Sequence, residues 1–463
     1  MLNYIWLGLM VLAVIIGGCT DNLKAVADKS FEMAEFAVMK TSLPLVGIMA
    51  LWLGIMRLAE RAGLVALLAR ALRPLMVWLF PDVPADHPAM GSMLMNMAAS
   101  ILGLGNAATP LGLRAMKDLE TLNPRPGTAT NAMCTYLAIN TSSIQLIPAT
   151  AIAVLAANNA SNPTAIVGTS IMATTCAAIA AVAAAKFLQR LPIYRLPPVA
   201  TPAPKVVLDP AEPQAAKVSN DKPIIKEAAT LQPLKWWGLV ILAVFGAFFL
   251  YLFFRLAFPE ALKQTLGSFL PALAPPVSAE IAHATNFVRI VGAVSMLSIP
   301  FMLSVFPLYA ALRHVKVYEE FVDGAKEGFD VAIRIIPYLV AILVAMGMFR
   351  AAGGINLLSA ALAPAMRAVH FPPELLPMVL MRPLSGSGTL GIFAELVKQY
   401  GPDSLLSRMG GTIFGSTETT FYVLAVYFGS VAVKRTRYAL PAGLIADTVG
   451  VIASVIFCKM VFG

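Results

Sequence analysis

Charge is scarce in this sequence. Only 13% of the 463 residues are Asp, Glu, Lys or Arg, where a soluble domain carries about 25%. Together with 58% hydrophobic residues and a mean hydropathy of +0.76, that shortage excludes an ordinary soluble enzyme. It also excludes a disordered chain, which needs low hydrophobicity and high charge. Cysteine is scarce too. Cys19, Cys134, Cys176 and Cys458 sit in or beside apolar runs without C-x-x-C spacing, so they read as small buried hydrophobes rather than a disulfide frame or a metal site. No basic residue precedes Lys24. The apolar stretch from Met1 to Gly18 therefore lacks the n-region of a signal peptide, and a retained first helix is expected despite the lipoprotein-like Ile16-Gly17-Gly18-Cys19. H-E-x-x-H, P-loop and G-x-S-x-G motifs are missing, and the four histidines lack metal spacing. The formally Rossmann-like Gly386-x-Gly388-x-x-Gly391 has no strand before it and no ribose-binding acid after it. Neither catalysis, a cofactor nor a metal site is expected. The net charge of +9 comes without aromatic interleaving, which argues against nucleic acid and for a positive-inside bias.

Long apolar runs are what the sequence has in quantity. They fall at about 2–18, 41–59, 131–157, 163–188, 235–258, 284–312, 331–350, 411–432 and 438–458. The expected fold class is all-α, a polytopic membrane protein of about nine transmembrane helices plus two re-entrant or broken segments. A Pro-rich, charged stretch at 189–234 reads as a solvated linker. The division is then a first membrane half at 1–188, the linker at 189–234, a connecting helix and loop at 235–283, and a second half at 284–463. Arg57, Arg61, Arg70, Arg73, Arg125, the linker's basic residues, Lys434, Arg435 and Arg437 are assigned to the inside. That leaves the N-terminus inside and the C-terminus outside.

The two halves repeat one order of features. A charged amphipathic stretch (21–36; 319–333) leads into a spanning run. An amphipathic segment ending at proline follows (Leu64–Pro74; Ile355–Pro364), then a Phe-Pro loop with a histidine nearby. Next comes a short apolar piece broken by Gly, Ser and Thr (89–110; 375–391), and then a closing pair of helices, the first with a polar cluster. Basic-residue counting gives the halves opposite orientation, the inverted-repeat plan of many secondary transporters.

Thirty-three prolines and 32 glycines are many for a helical chain, and the informative ones lie in the broken pieces. Gly103, Gly105, Asn106, Thr109 and Pro110 interrupt the first. Arg382-Pro383 and Ser385, Gly386, Ser387, Gly388 and Thr389 interrupt the second. A re-entrant segment fits both, because glycine frees backbone groups to face a ligand instead of lipid; Gly-kinked packing helices are the bland alternative. Within the run 411–432, Thr417 and Glu418 place polar groups where a carboxylate is costly unless it binds a cation, a donor or an Arg, with Arg382 as candidate partner. The matching positions are Asn140, Thr141, Ser142, Ser143 and Gln145, whose alternative role is polar glue between helices. Asp447 is a candidate ion-coupling acid beside Glu418. Arg289, Arg334 and Arg350 lie near helix ends and are expected to snorkel.

The first half, with "SLPLVGIMALWLGIMRLAERAGL", "MNMAASILGLGNAATPLGLRAMKDL" and "AINTSSIQLIPAT", resembles the spore maturation protein A family. The second, with "MRPLSGSGTLGIFAELVKQYGPDS" and "GGTIFGSTETTFYVLAVYFGSV", resembles the spore maturation protein B family. The chain is thus similar to a fusion of the two. The resemblance implies two inverted repeats of gate-domain (nucleoside-recognition) type, similar to regions of concentrative nucleoside transporters and of the ferrous-iron transporter B. In those nucleoside transporters a hairpin carries a G-x-T-E motif whose polar residues contact the nucleoside; Gly415-Ser416-Thr417-Glu418 matches it. For the spore maturation families the resemblance implies a role in spore-core dehydration. The expected function is secondary transport of a small polar, nucleoside-like solute in the bacterial inner membrane. Its partners are that solute, Na+ or H+ and the lipid bilayer, with homo-oligomerisation left open. A non-transporting scaffold of envelope or spore maturation is the alternative.

Overall fold

The computed structural model describes residues 2–196, 234–260, 285–354, 357 and 371–463. The described residues are helical, with one isolated parallel bridge between Thr128 and Arg435. Six helices are long and apolar enough to cross a membrane: 23–61, 166–188, 236–257, 286–312, 317–351 and 439–462. The N-terminal α1 (Leu2–Cys19) is another apolar helix.

Two of these helices are much longer than their apolar runs. The stretch 21–36, expected as a charged amphipathic lead into a spanning run, forms α2 (Leu23–Glu35) and continues through a π-helical turn (Phe36–Ser42) into α3 (Leu43–Arg61). Pro44 stands just past that turn. Its ring would clash with a carbonyl four residues back, and a locally widened turn relieves the clash without ending the helix. The second half repeats this in the 35-residue helix at Val317–Ala351, again fusing amphipathic stretch and span.

The first hairpin is built from α4 (Leu64–Leu79), α5 (Pro88–Ile101) and α6 (Gly105–Glu120). Pro74 and Pro110, expected as breaks, lie inside α4 and α6. The chain then forms α7 (Asn131–Thr141), α8 (Ala149–Ala157) and α9 (Ile166–Leu188). After the linker come α10 (Trp236–Ala257), α11 (Asn286–Leu312) and α12 (Val317–Ala351). The rest comprises α13 (Leu376–Met381), α14 (Gly386–Tyr400), α15 (Leu405–Ser416), α16 (Thr420–Gly429) and α17 (Ala439–Phe462). The expected amphipathic segment Ile355–Pro364 falls almost wholly outside the described residues.

The long helices of the two halves pack directly against each other. A Cβ on Gly328 would lie 2.5 Å from the Ala50 Cα, and one on Gly324 would lie 2.6 Å from the Leu53 carbonyl. Small residues let two backbones meet where lipid supplies no hydrophobic drive for association. Residue order along α3 falls as that along α12 rises, so the helices are antiparallel, as inverted halves require. Arg57 and Arg61 reach Glu320 at 3.3 and 3.1 Å at one end of the pair. Helix α1 runs parallel to α12, with the Trp6 Nε1 donating to the Ala341 carbonyl at 3.0 Å.

Candidate solute site

Four helix interruptions come together where the two halves meet. Two were expected. The first hairpin turns at Leu102–Leu104, with Gly103 at φ +79°, a left-handed backbone that favours glycine. The second turns at Arg382–Ser385. Here the structure corrects the sequence reading: Ser385 is the N-cap, and Gly386, Ser387, Gly388 and Thr389 form the first turn of α14 rather than an unwound loop.

The other two interruptions lie in runs expected as continuous spans. The run 131–157 stops at Thr141 and resumes at Ala149. The run 411–432 is open from Thr417 to Thr419. Glu418 therefore stands on unwound backbone instead of inside a spanning helix. The local sequence accounts for both breaks. Ser and Thr offer the backbone competing partners, and Pro148 cannot continue a helix from the preceding turn. Close packing holds them together. A Cβ on Gly415 would come 2.5 Å from the Pro148 Cβ.

Main-chain hydrogen bonds join the four. The Leu146 amide donates to the Ile101 carbonyl at 2.9 Å, linking break to hairpin in the first half. In the second, the Phe421 amide donates to the Pro383 carbonyl at 3.0 Å. Across the halves, the Glu418 amide donates to the Thr141 carbonyl at 3.0 Å.

Arg382 is the charged centre. It is 3% exposed, and its Nε donates to the Thr417 Oγ1 at 3.1 Å. Its Nη2 donates to the carbonyls of Phe414 and Thr417 and lies 3.9 Å from the Glu418 carboxylate. The guanidinium also sits over the Phe414 ring, 4.5 Å from its centroid. Glu418 keeps 34% of its side chain exposed and accepts from the Ser143 Oγ at 3.3 Å. On the other side of the break Asp447, 5% exposed, accepts from the Thr420 Oγ1 at 2.5 Å while its Oδ1 has no partner.

The first-half residues behave differently. Asn140, Thr141 and Ser142 spend their donors on carbonyls of α7, those of Tyr136, Ala138 and Ile139, at 2.9, 2.8 and 2.6 Å. The Thr174 Oγ1 lies 2.8 Å from the carbonyls of Ser142 and Ser143. Gln145 and Thr109 are half-buried and lie in or beside the interruptions. Gly105 opens α6, and the side chain of Asn106 lies outside the described residues.

Residues without a motif complete the frame. Asn96 is fully buried, donates to the Ala108 carbonyl at 2.7 Å and accepts from the Tyr136 hydroxyl at 2.6 Å. It thereby ties the first hairpin to α7. Arg350 does not snorkel. It turns inward to Glu395 at 3.2 Å, an acid 3% exposed. Arg289 lies 3.4 Å from Glu260, and the Arg334 side chain lies outside the described residues. A cavity of about 590 Å³ opens away from the interruptions, beside Asp82, Asn123, Arg125, Arg195 and Arg437.

Residues 42–190 and 332–434, together more than half of the chain and containing all four interruptions, match the nucleoside recognition, or Gate, family. The chain belongs to that family. Two relatives match different parts of it. It is 43% identical over 175 residues to spore maturation protein B of Bacillus subtilis, covering 98% of that protein and 38% of this chain. It is 44% identical over 182 residues to spore maturation protein A of the same organism, covering 92% of that protein and 39% of this chain. No solved structure matches. The matched Gate segments end before Asp447, so the second acid of the site comes from outside them.

Proposed function

We propose that this Gate-family membrane protein is a secondary transporter of a small polar, nucleoside-like solute. The observation that carries the proposal is the meeting of four helix interruptions, two from each half, around one arginine and two carboxylates. A protein used only as a scaffold gains nothing from unwinding helices where backbone groups lose their intrahelical partners. A transporter gains a midplane site whose walls belong to halves that can rock against each other. In this scheme Glu418, Thr417, Arg382, Ser385, Ser387 and Thr389 face the solute from one half. The segment from Asn140 to Gln145, with the start of α6 at Gly105–Thr109, faces it from the other. Asp447, with Glu418, takes the coupling Na+ or H+. The distribution of Lys and Arg supports the bacterial inner membrane with the N-terminus cytoplasmic and the C-terminus external.

The test is uptake into proteoliposomes holding the full chain, screened with labelled nucleosides and other small polar solutes under Na+ and H+ gradients. Wild-type protein should accumulate at least one solute, and Glu418→Gln should reduce its uptake by about 10-fold or more. If no solute accumulates and Glu418→Gln leaves every measured phenotype intact, the transport reading fails.

A further inference from the structure

The turn at Arg382–Ser385 puts the start of a 15-residue helix, α14, into the site. A helix N-terminus leaves its first amides without intrahelical acceptors and carries roughly half a positive charge. Ser385 satisfies one of them, accepting from the Gly388 amide at 3.0 Å. The amides of Gly386 and Ser387 have no such acceptor within the helix.

Three further groups converge on that end. The Arg382 Nη1 lies 3.8 Å from where a Cβ on Gly386 would sit. The Ser387 hydroxyl, half-buried, stands 3.4 Å from that of Ser385. The Thr419 Oγ1 lies 3.1 Å from the same Gly386 position, is on a residue only 3% exposed, and has no hydrogen-bond partner. A buried hydroxyl without a partner costs about 1–3 kcal/mol, and this one is aimed at a helix N-terminus, an arginine and a glycine that leaves room.

We propose that the N-terminus of α14, with Arg382 and Thr419, is a subsite for an oxyanion carried by the solute. The proposal deepens the transport reading and rests on it for the identity of the ligand as cargo. An oxyanion supplies an acceptor for the free amides and for the Thr419 hydroxyl, and a further anionic partner for the arginine. Glu418 already lies 3.9 Å from Arg382 and offsets its charge. The oxyanion therefore enters with a positive partner, either a cationic group of the same solute or the coupling ion.

Carboxylate and phosphate share this chemistry, and the experiment separates them. The purified full chain in detergent is melted in sodium phosphate, sodium acetate and sodium chloride at equal ionic strength, and with uridine as a neutral probe. Phosphate or acetate should raise the melting temperature saturably beyond chloride, and whichever acts identifies the oxyanion. Thr419→Val should weaken that apparent affinity about 10-fold. Gly386→Ala, which puts a methyl group into the cleft at a helical position that tolerates alanine, should do the same. If both oxyanions act like chloride while uridine stabilises the wild type and not Glu418→Gln, the subsite is overturned and the transport reading stands. Saturable stabilisation that survives Thr419→Val also overturns it, since the anion then binds elsewhere. Oxyanion binding lost in both variants, with no uptake of any solute by proteoliposomes, would keep the subsite and remove the transport reading.

Discussion

The interruptions of the two halves occupy equivalent places but are built from different chemistry. The first-half break is long, running from Ser142 to Pro148, and neutral. Asn140, Thr141 and Ser142 spend their side-chain donors on carbonyls of α7, while the Ser143 hydroxyl donates across to Glu418. The second-half break is three residues long and charged, with Arg382 bonded to the carbonyls of Phe414 and Thr417, Glu418 within it and Asp447 beside it. Two buried oxygens there, Thr419 Oγ1 and Asp447 Oδ1, have no hydrogen-bond partner; in the first half the Ser170 Oγ, 3.1 Å from where a Cβ on Gly415 would sit, has none either. The first half supplies a neutral wall, and the second supplies the charged groups.

The sharpest way to break this comparison is to remove Arg382. The Arg382→Met variant keeps the volume but leaves the carbonyls of Phe414 and Thr417 without their donor and the Glu418 carboxylate without its cation. Breaking a buried charged network from one side costs about 3–5 kcal/mol. Unfolding in a denaturing detergent titration should show a loss of that size, and Arg382→Lys should recover only part of it, because an ammonium cannot reproduce the forked geometry. A loss below about 1 kcal/mol would mean that the charge of Arg382 does not hold the second-half break, and that packing and main-chain hydrogen bonds suffice there as in the first.

The matching operation in the first half is Asn96→Ala. It strands the Ala108 carbonyl and the Tyr136 hydroxyl, both neutral, and should cost about 1–3 kcal/mol. Adding Tyr136→Phe to it should cost almost nothing further, because the hydroxyl has already lost its acceptor. Uptake should survive in any Asn96 variant that still folds, in contrast to Glu418→Gln. Additive losses for the pair would show that Asn96 and Tyr136 act separately and that the first half is not framed by one relay.

Much of this contrast was legible in the sequence, and the reason for the rest is physical. Hydropathy marked the membrane class, and glycine with proline marked both hairpin turns. The two interrupted spans were not legible, because apolar residues flank Ser142–Pro148 and Thr417–Thr419 on both sides and no hydropathy window registers a break of three to seven residues. Nor was the extension of α3 and α12 beyond the apolar runs, since Pro44 and Pro337 read as breaks yet are accommodated within continuous helices. Arg350 shows the limit of composition. An arginine near a helix end snorkels by default, and only the three-dimensional approach of Glu395 on a distant helix turns it inward. The Asn96 relay depends likewise on contacts that carry no motif.

The smallest effect tests the same asymmetry outside the spans. In the loop between α14 and α15, Asp403 of the second half accepts from the Ser161 amide at 3.0 Å and from its hydroxyl at 2.8 Å. Arg408 lies 3.7 Å away. Again the neutral partner comes from the first half and the charged one from the second. The Ser161 amide, foremost, holds the Asp403 carboxyl below the usual carboxylate range. A folded-state pKa below the unfolded one, which is about 3.9, gives stability that is complete above the unfolded value and fades as pH falls through the folded one. Melting temperature should therefore drop on acidification below about pH 4. Asp403→Asn should lower the plateau slightly at neutral pH and flatten that acid limb. The effect should be small, because the loop is solvent-exposed and the contact is screened. An acid limb unchanged in Asp403→Asn would show that the tether between the halves is carried by the buried interruptions alone.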